Sequence, residues 1–146
     1  MLRSRLRADD GFTLVELLVV ILIVGILAAV ALATLLNQRG KAQDAEAKTT
    51  AVTAAKAIEA YSTDHGGDYQ DATPADLAKI EISLGQARHL KVTSTSTTYT
   101  VSVDSAAAEG AAFWIDRSAT GTSVRDCALP GVGGCRADAD ANGNRW

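Results

Sequence analysis

Two histidines and two cysteines are the only imidazoles and thiols this chain offers for soft-metal binding or nucleophilic catalysis. His65 lies beside Gly66–Gly67 and His89 heads a stretch rich in β-formers, with no cysteine near either one. No serine sits in a nucleophile-elbow pattern, and no glycine-rich phosphate loop is present. Catalysis is not expected. Cys127 and Cys135 lack the Cys-x-x-Cys spacing of a redox pair. Strong positive charge is missing too, since the formal net charge is −3, which argues against a general nucleic-acid binder. A local patch built from Arg117, Arg125, Arg136 and Arg145 stays open. A second long apolar run is also lacking, so the chain crosses a membrane at most once.

The one apolar run that is present is unusual. From Leu17 to Ala33 every residue is apolar or Gly, and residues 34–36 extend the uncharged stretch to twenty. A helix of that length spans ~30 Å, the hydrocarbon thickness of a bilayer. Arg3, Arg5 and Arg7 precede it, and the positive-inside rule keeps that end in the cytoplasm. Everything after Leu36 is then expected outside, where disulfides persist. A secretory signal peptide would share the basic start, with "ALA" at 31–33 as its cut, and a plain anchor would share the length. Neither accounts for Glu16, because a carboxylate inside a membrane helix costs ~2.5–3.5 kcal/mol on insertion scales.

The stretch "GFTLVELLVVILIVGILAAVA", residues 11–31, resembles the prepilin signature of the type IV pilin family. Its marks are a short basic leader ending in Gly11, then aromatic Phe12, then Glu16 within an apolar helix. The resemblance implies cleavage between Gly11 and Phe12 by a prepilin peptidase and methylation of the new Phe12 amine. It also implies that Glu16 meets the amine of a neighbouring copy as a filament grows. Gly25 matches a family glycine. Many members carry a proline eight residues later, where this chain has Ala33, so the helix either continues or bends at Gly25 or Gly40. The small residues Gly25, Ala28, Ala29, Ala31 and Ala33 would let helices approach closely.

Beyond the apolar run, residues 42–60 contain eight alanines, the strongest helix former. Ala42, Ala45, Val52, Ala55 and Ile58 suggest an apolar stripe, with Lys41, Asp44, Glu46 and Lys48 on much of the remaining surface. Gly66–Gly67 stop the helix, and His65 complements its C-terminal dipole. The membrane helix is expected to run on into this segment, giving ~75–80 Å in all. Thr73, Pro74 and Asp76 mark the start of a short helix. Alternating Thr, Val and aromatic residues then predict three or four antiparallel strands near 89–94, 98–104, 111–117 and 122–127, with Thr120–Gly121 as a turn. Phe113, Ile115, Tyr99 and the valines face the helix, and one of Phe113 and Trp114 faces out. The Ser/Thr run at 93–98 is assigned to strand.

The expected fold is α+β: a long N-terminal helix packed on a small 3–4-stranded antiparallel sheet, the pilin fold. The expected parts are a leader at 1–11, a membrane or filament-core helix at 12–36, its outer half at 37–66, and a head at 67–146. So small a head benefits from a staple. The resemblance makes Cys127–Cys135 a natural C-terminal disulfide loop, with Pro130 and three glycines between them. Asp138, Asp140 and Asn142 start like a calcium loop, though the acidic twelfth ligand is missing because the chain ends at Trp146. A polar terminal turn is the alternative, and no other cofactor is expected. The function expected is a structural subunit of an extracellular pilus-like filament, anchored in the cytoplasmic membrane before assembly. The alternatives are a pseudopilin of a type II secretion or DNA-uptake machine, or a monomeric membrane-tethered binding domain. The partners implied are the peptidase and other copies.

Overall fold

A computed structural model describes residues 11–146. The leader residues before Gly11, including the three arginines that set the expected orientation, lie outside the described residues. Helix α1 runs Leu14–Asp64 as one element, through both Gly25 and Gly40. The question of continuity raised by Ala33 is thus answered by an unbroken helix. The chain divides into two units, Met1–Asn37 and Gln38–Trp146.

In the first unit the described helix residues have no cover from their own chain. Leu14, Leu27 and Leu32 are 79%, 65% and 58% exposed, and the side chains between them are similarly bare. A helix that is apolar all round needs lipid or other helices against it. It is long and apolar enough to cross a membrane by length and composition.

The second unit is the head. After α1 come α2 (Pro74–Ile80), a short 3-10 helix (Ile82–Gln86), and strands β1 (Lys91–Ser94), β2 (Tyr99–Asp104), β3 (Ala112–Arg117) and β4 (Ser123–Cys127). The strands form one antiparallel sheet in the order β1-β2-β3-β4. This is the α+β arrangement expected, and each strand falls within two residues of its predicted bounds. Thr73 and Asp76 cap α2 as a reciprocal box, with Pro74 in its first turn. Side chains alternate across the sheet. Tyr99, Val101, Val103, Phe113 and Ile115 are buried on one face against α1. Trp114 pairs with Ser102 in register and so takes the opposite, outward face.

The predicted stripe on α1 is corrected. The buried residues are Asp44, Ala47, Ala51, Ala54, Ala57, Ile58 and Ser62, so of the predicted row only Ile58 is fully buried, while Ala42 and Ala45 are exposed and Val52 and Ala55 half-buried. Alanine-rich helices carry little contrast between faces, so periodicity chose the wrong row. A polar residue, Asp44, assigned to the solvent side, turns out to be interior at 3% exposure. His89 sits in a turn at φ 47° before the strand begins at Lys91. The Ser/Thr run leaves the strand after Ser94, and the Thr95 N–H to Thr98 carbonyl bond closes a turn.

Candidate assembly site

Glu16 does not stand alone. Thr13 immediately precedes α1, and its hydroxyl donates to Glu16 Oε2 at 2.9 Å. The Thr13 N–H donates to the same oxygen at 3.2 Å, and the Glu16 N–H returns a bond to Thr13 Oγ1 at 3.2 Å. This is a capping box: it satisfies two otherwise orphaned helix-end donors and places a negative charge at the positive end of the dipole. Thr13 is an additional member of the site, and Thr-x-x-Glu before an apolar run is its signal in the sequence. Phe12, the residue whose amine cleavage would expose, is 80% exposed one helical turn away. At Gly25 an added Cβ would meet nothing within 4 Å in this chain. Glycine inside a helix costs roughly 1 kcal/mol relative to alanine, and the chain's own packing does not call for it.

In the head, two polar clusters fasten α1 to the sheet and the C-terminal loop. Glu59 accepts hydrogen bonds from Tyr69 Oη at 2.8 Å, Tyr99 Oη at 3.0 Å and Arg117 Nη1 at 2.8 Å. Burial, then the charge and hydrogen bond of Glu59, push the Tyr99 phenol well above its ordinary value of 10. A phenol whose folded value is raised contributes stability that is complete below the unfolded value and is lost as pH climbs past it. Stability of the full chain in detergent is therefore expected to fall above pH ~10. Tyr99→Phe should flatten that fall, as read by denaturant midpoints across pH 9–11.

Asp44 forms the second cluster. Its carboxylate accepts from Ser105 Oγ at 2.6 Å and from the Gly134 N–H at 2.7 Å. Lys48 Nζ donates to the Gly134 carbonyl at 2.5 Å and lies 5.0 Å over the Phe113 ring. Burial pushes the Lys48 ammonium below its ordinary value, with the Asp44 charge opposing. Gly133 holds φ 57°, and a Cβ there would come within 2.5 Å of Asp44 Oδ2; only glycine allows the loop this close.

That loop is the one closed by Cys127–Cys135, which are disulfide-bonded. Closing so short a loop is worth roughly 2–3 kcal/mol in chain entropy. The tail beyond it folds back on β4. Arg145 N–H donates to the Arg125 carbonyl, Trp146 Nε1 donates to the Asp126 carbonyl at 2.8 Å, and the indole meets Phe113 edge-on at 6.0 Å. Of the three calcium candidates, Asp140 and Asn142 serve this turn. Asp140 Oδ1 accepts from the Asn142 and Asn144 N–H groups at 2.9 and 2.8 Å, and the Asn144 bond chiefly holds its carboxyl below the usual range. Among the described residues no three His, Cys, Asp or Glu gather as a metal would need. Of the four arginines, Arg117 pairs with Glu59 and Arg145 with Asp126, which leaves Arg125 and Arg136 without an ion pair among the described residues.

The chain matches the prokaryotic N-terminal methylation motif over residues 6–32, the stretch that contains Gly11, Phe12, Thr13, Glu16 and Gly25. It is 41% identical over 78 residues to the type IV major pilin protein PilE of Neisseria gonorrhoeae, covering 53% of this chain and 47% of that one. The N-terminal half of the chain is similar to the type IV pilins and carries their methylation motif. A fimbrial protein of Neisseria meningitidis serogroup B is 48% identical over 70 residues, 48% of this chain and 41% of its own. The type II secretion system core protein G of Vibrio cholerae is 38% identical over 62 residues, 42% of each chain. The chain therefore spans less than half the length of each of these relatives. No solved structure matches it. These relatives are pilins and a secretion-system core protein, which are structural proteins rather than enzymes.

Proposed function

We propose that the chain is a structural subunit of an extracellular type IV pilus-like filament, held in the cytoplasmic membrane by residues 12–36 until it is assembled. The observation that carries this is the bare apolar helix with a capped carboxylate at its head. Lipid covers such a helix, and so does a bundle of copies. Because lipid is already apolar, moving from one to the other gains little hydrophobic energy, and packing and polar pairing must supply the preference. Peptidase cleavage between Gly11 and Phe12 creates a positive amine, and Glu16 of a neighbouring copy is its mate. Gly25, open on its own chain, allows a neighbouring helix to approach closely.

The similarity to a type II secretion core protein supports a second reading, a pseudopilin whose filament stays short and periplasmic. In either case the tail at Asp138, Asp140 and Asn142 acts as a structural clamp; a calcium role would show as a rise in melting temperature in millimolar calcium.

Mass spectrometry of surface-sheared material tests the main reading. The expected species begins at Phe12 and carries one added methyl group. Material beginning at Met1, or starting after Ala33, would refute processing at Gly11.

A further inference from the structure

The head carries two surfaces that complement each other. A groove of about 340 Å³ opens between α1 and the sheet, floored by Val52, Ala55, Tyr99 and Ile115 and rimmed by Lys56 and Arg125. Among the described residues neither rim cation lies within ion-pair distance of a carboxylate. Glu59 also lines the groove, but its carboxylate is taken by Tyr69, Tyr99 and Arg117. The groove is thus apolar below and positive at its edge.

The opposite character appears where α2 meets the 3-10 helix. Ile80 and Ile82 are 43% and 84% exposed, and Glu81 stands between them. Apart from Val132, these are the head's only exposed large hydrophobics among the described residues. Glu81 Oε1 accepts a long 3.3 Å bond from Ser83 N–H, which leaves Oε2 open. The neighbouring Lys79 is tied to Asp76 at 2.8 Å and does not neutralise Glu81. Because Ile82 is so exposed in its own chain, the knob does not fill its own groove.

We propose that the Ile80–Glu81–Ile82 knob of one copy docks in the Lys56/Arg125 groove of the next. The isoleucines cover the apolar floor, and Glu81 meets the rim cations. Two different patches on one chain make a heterologous contact, which repeats in one sense and builds an open filament when the rotation does not close. Charge complementarity sets the register, and the apolar anchor carries most of the affinity. This contact rests on the filament reading and adds a head-to-head specificity that the apolar helix lacks.

The test uses full-length protein in cells. The chain has no free cysteine, so an Ile82→Cys, Ser123→Cys double variant places one thiol on the knob and one at the groove. Oxidation of its sheared filaments should give a ladder of linked chains on non-reducing gels, while each single variant gives dimers at most. Ile82→Asp and Glu81→Lys should each lower sheared filament yield about tenfold, and adding Lys56→Glu to Glu81→Lys should restore it. The melting temperature of Ile82→Asp should match the parent, because the side chain it replaces is solvent-exposed. Filaments without a ladder, or normal filament yield from Ile82→Asp, would overturn the docking contact and leave the filament reading standing. Absence of filaments from the parent chain itself would overturn both.

Discussion

Glu16→Leu and Glu16→Gln are both expected to insert, to be cut after Gly11, and then to yield almost no sheared filament. The two substitutions separate two duties of one side chain. Leucine removes the charge and the capping partner of Thr13 together. Glutamine keeps the box, because an amide oxygen accepts from Thr13 as a carboxylate does, but it cannot pair with a neighbour's amine. Losing the cap alone costs about 1 kcal/mol at the helix start. Losing one partner of a buried charge pair costs about 3–5 kcal/mol, and in a filament that loss recurs at every subunit contact. The charge term is the larger, so glutamine should fail nearly as badly as leucine, each lowering yield by roughly a hundredfold or more. Immunoblots of sheared and membrane fractions would read both quantities. Wild-type yield from Glu16→Gln would show that the cap is Glu16's main contribution and would remove the amine pairing from the mechanism.

Asp44→Ala is expected to do the most damage to the head. It leaves the Gly134 N–H and Ser105 hydroxyl without their acceptor and deprives Lys48 of its nearest opposite charge. Stranding buried donors costs roughly 1–3 kcal/mol each, while the Asp44–Lys48 attraction, which is longer than an ion-pair contact and partly exposed, adds little. The total is a large share of the ~5–15 kcal/mol that holds a domain folded. A fall in melting temperature on the order of 15 °C or more follows for a head of this size. The disulfide limits the damage by keeping residues 127–135 together, so the reduced variant should lose more than the oxidised one. Asp44→Asn, which keeps one acceptor oxygen, should lose about half as much. Calorimetry of the full chain in detergent reads all of these. A melting temperature unchanged in Asp44→Ala would mean that the loop seats on α1 without this lock.

The two clusters differ in how far the sequence revealed them. The strands were legible because Tyr99, Val101 and Val103 alternate with Thr100 and Ser102, so period two states which face is buried; at Phe113-Trp114-Ile115 both faces are apolar and the sequence left the inward one open. The start of α2 was legible because Thr73, Pro74 and Asp76 carry a local capping chemistry that needs no distant partner. The same local grammar stands at Thr13 and Glu16, where the apolar residues on either side mask a capping box inside the membrane run. The buried face of α1 was not legible, since alanine lies on every side of that helix. Glu59, Arg117 and Tyr99 lie up to fifty-eight positions apart, and no spacing rule joins them.

By itself, the sequence determined the apolar helix and the strands, which are written in residues adjacent in the chain or at a fixed period, so local physics is enough to read them; the processing signature and the disulfide loop were implied by the family resemblance of residues 11–31. The tertiary structure alone decided that Asp44 faces inward, that the Asp138–Asn144 segment closes a turn against β4, and that Ile82 is left bare opposite in character to a basic groove. Those outcomes depend on which surfaces meet once the sheet lies on α1, and burial and charge pairing between distant residues are set only at that meeting.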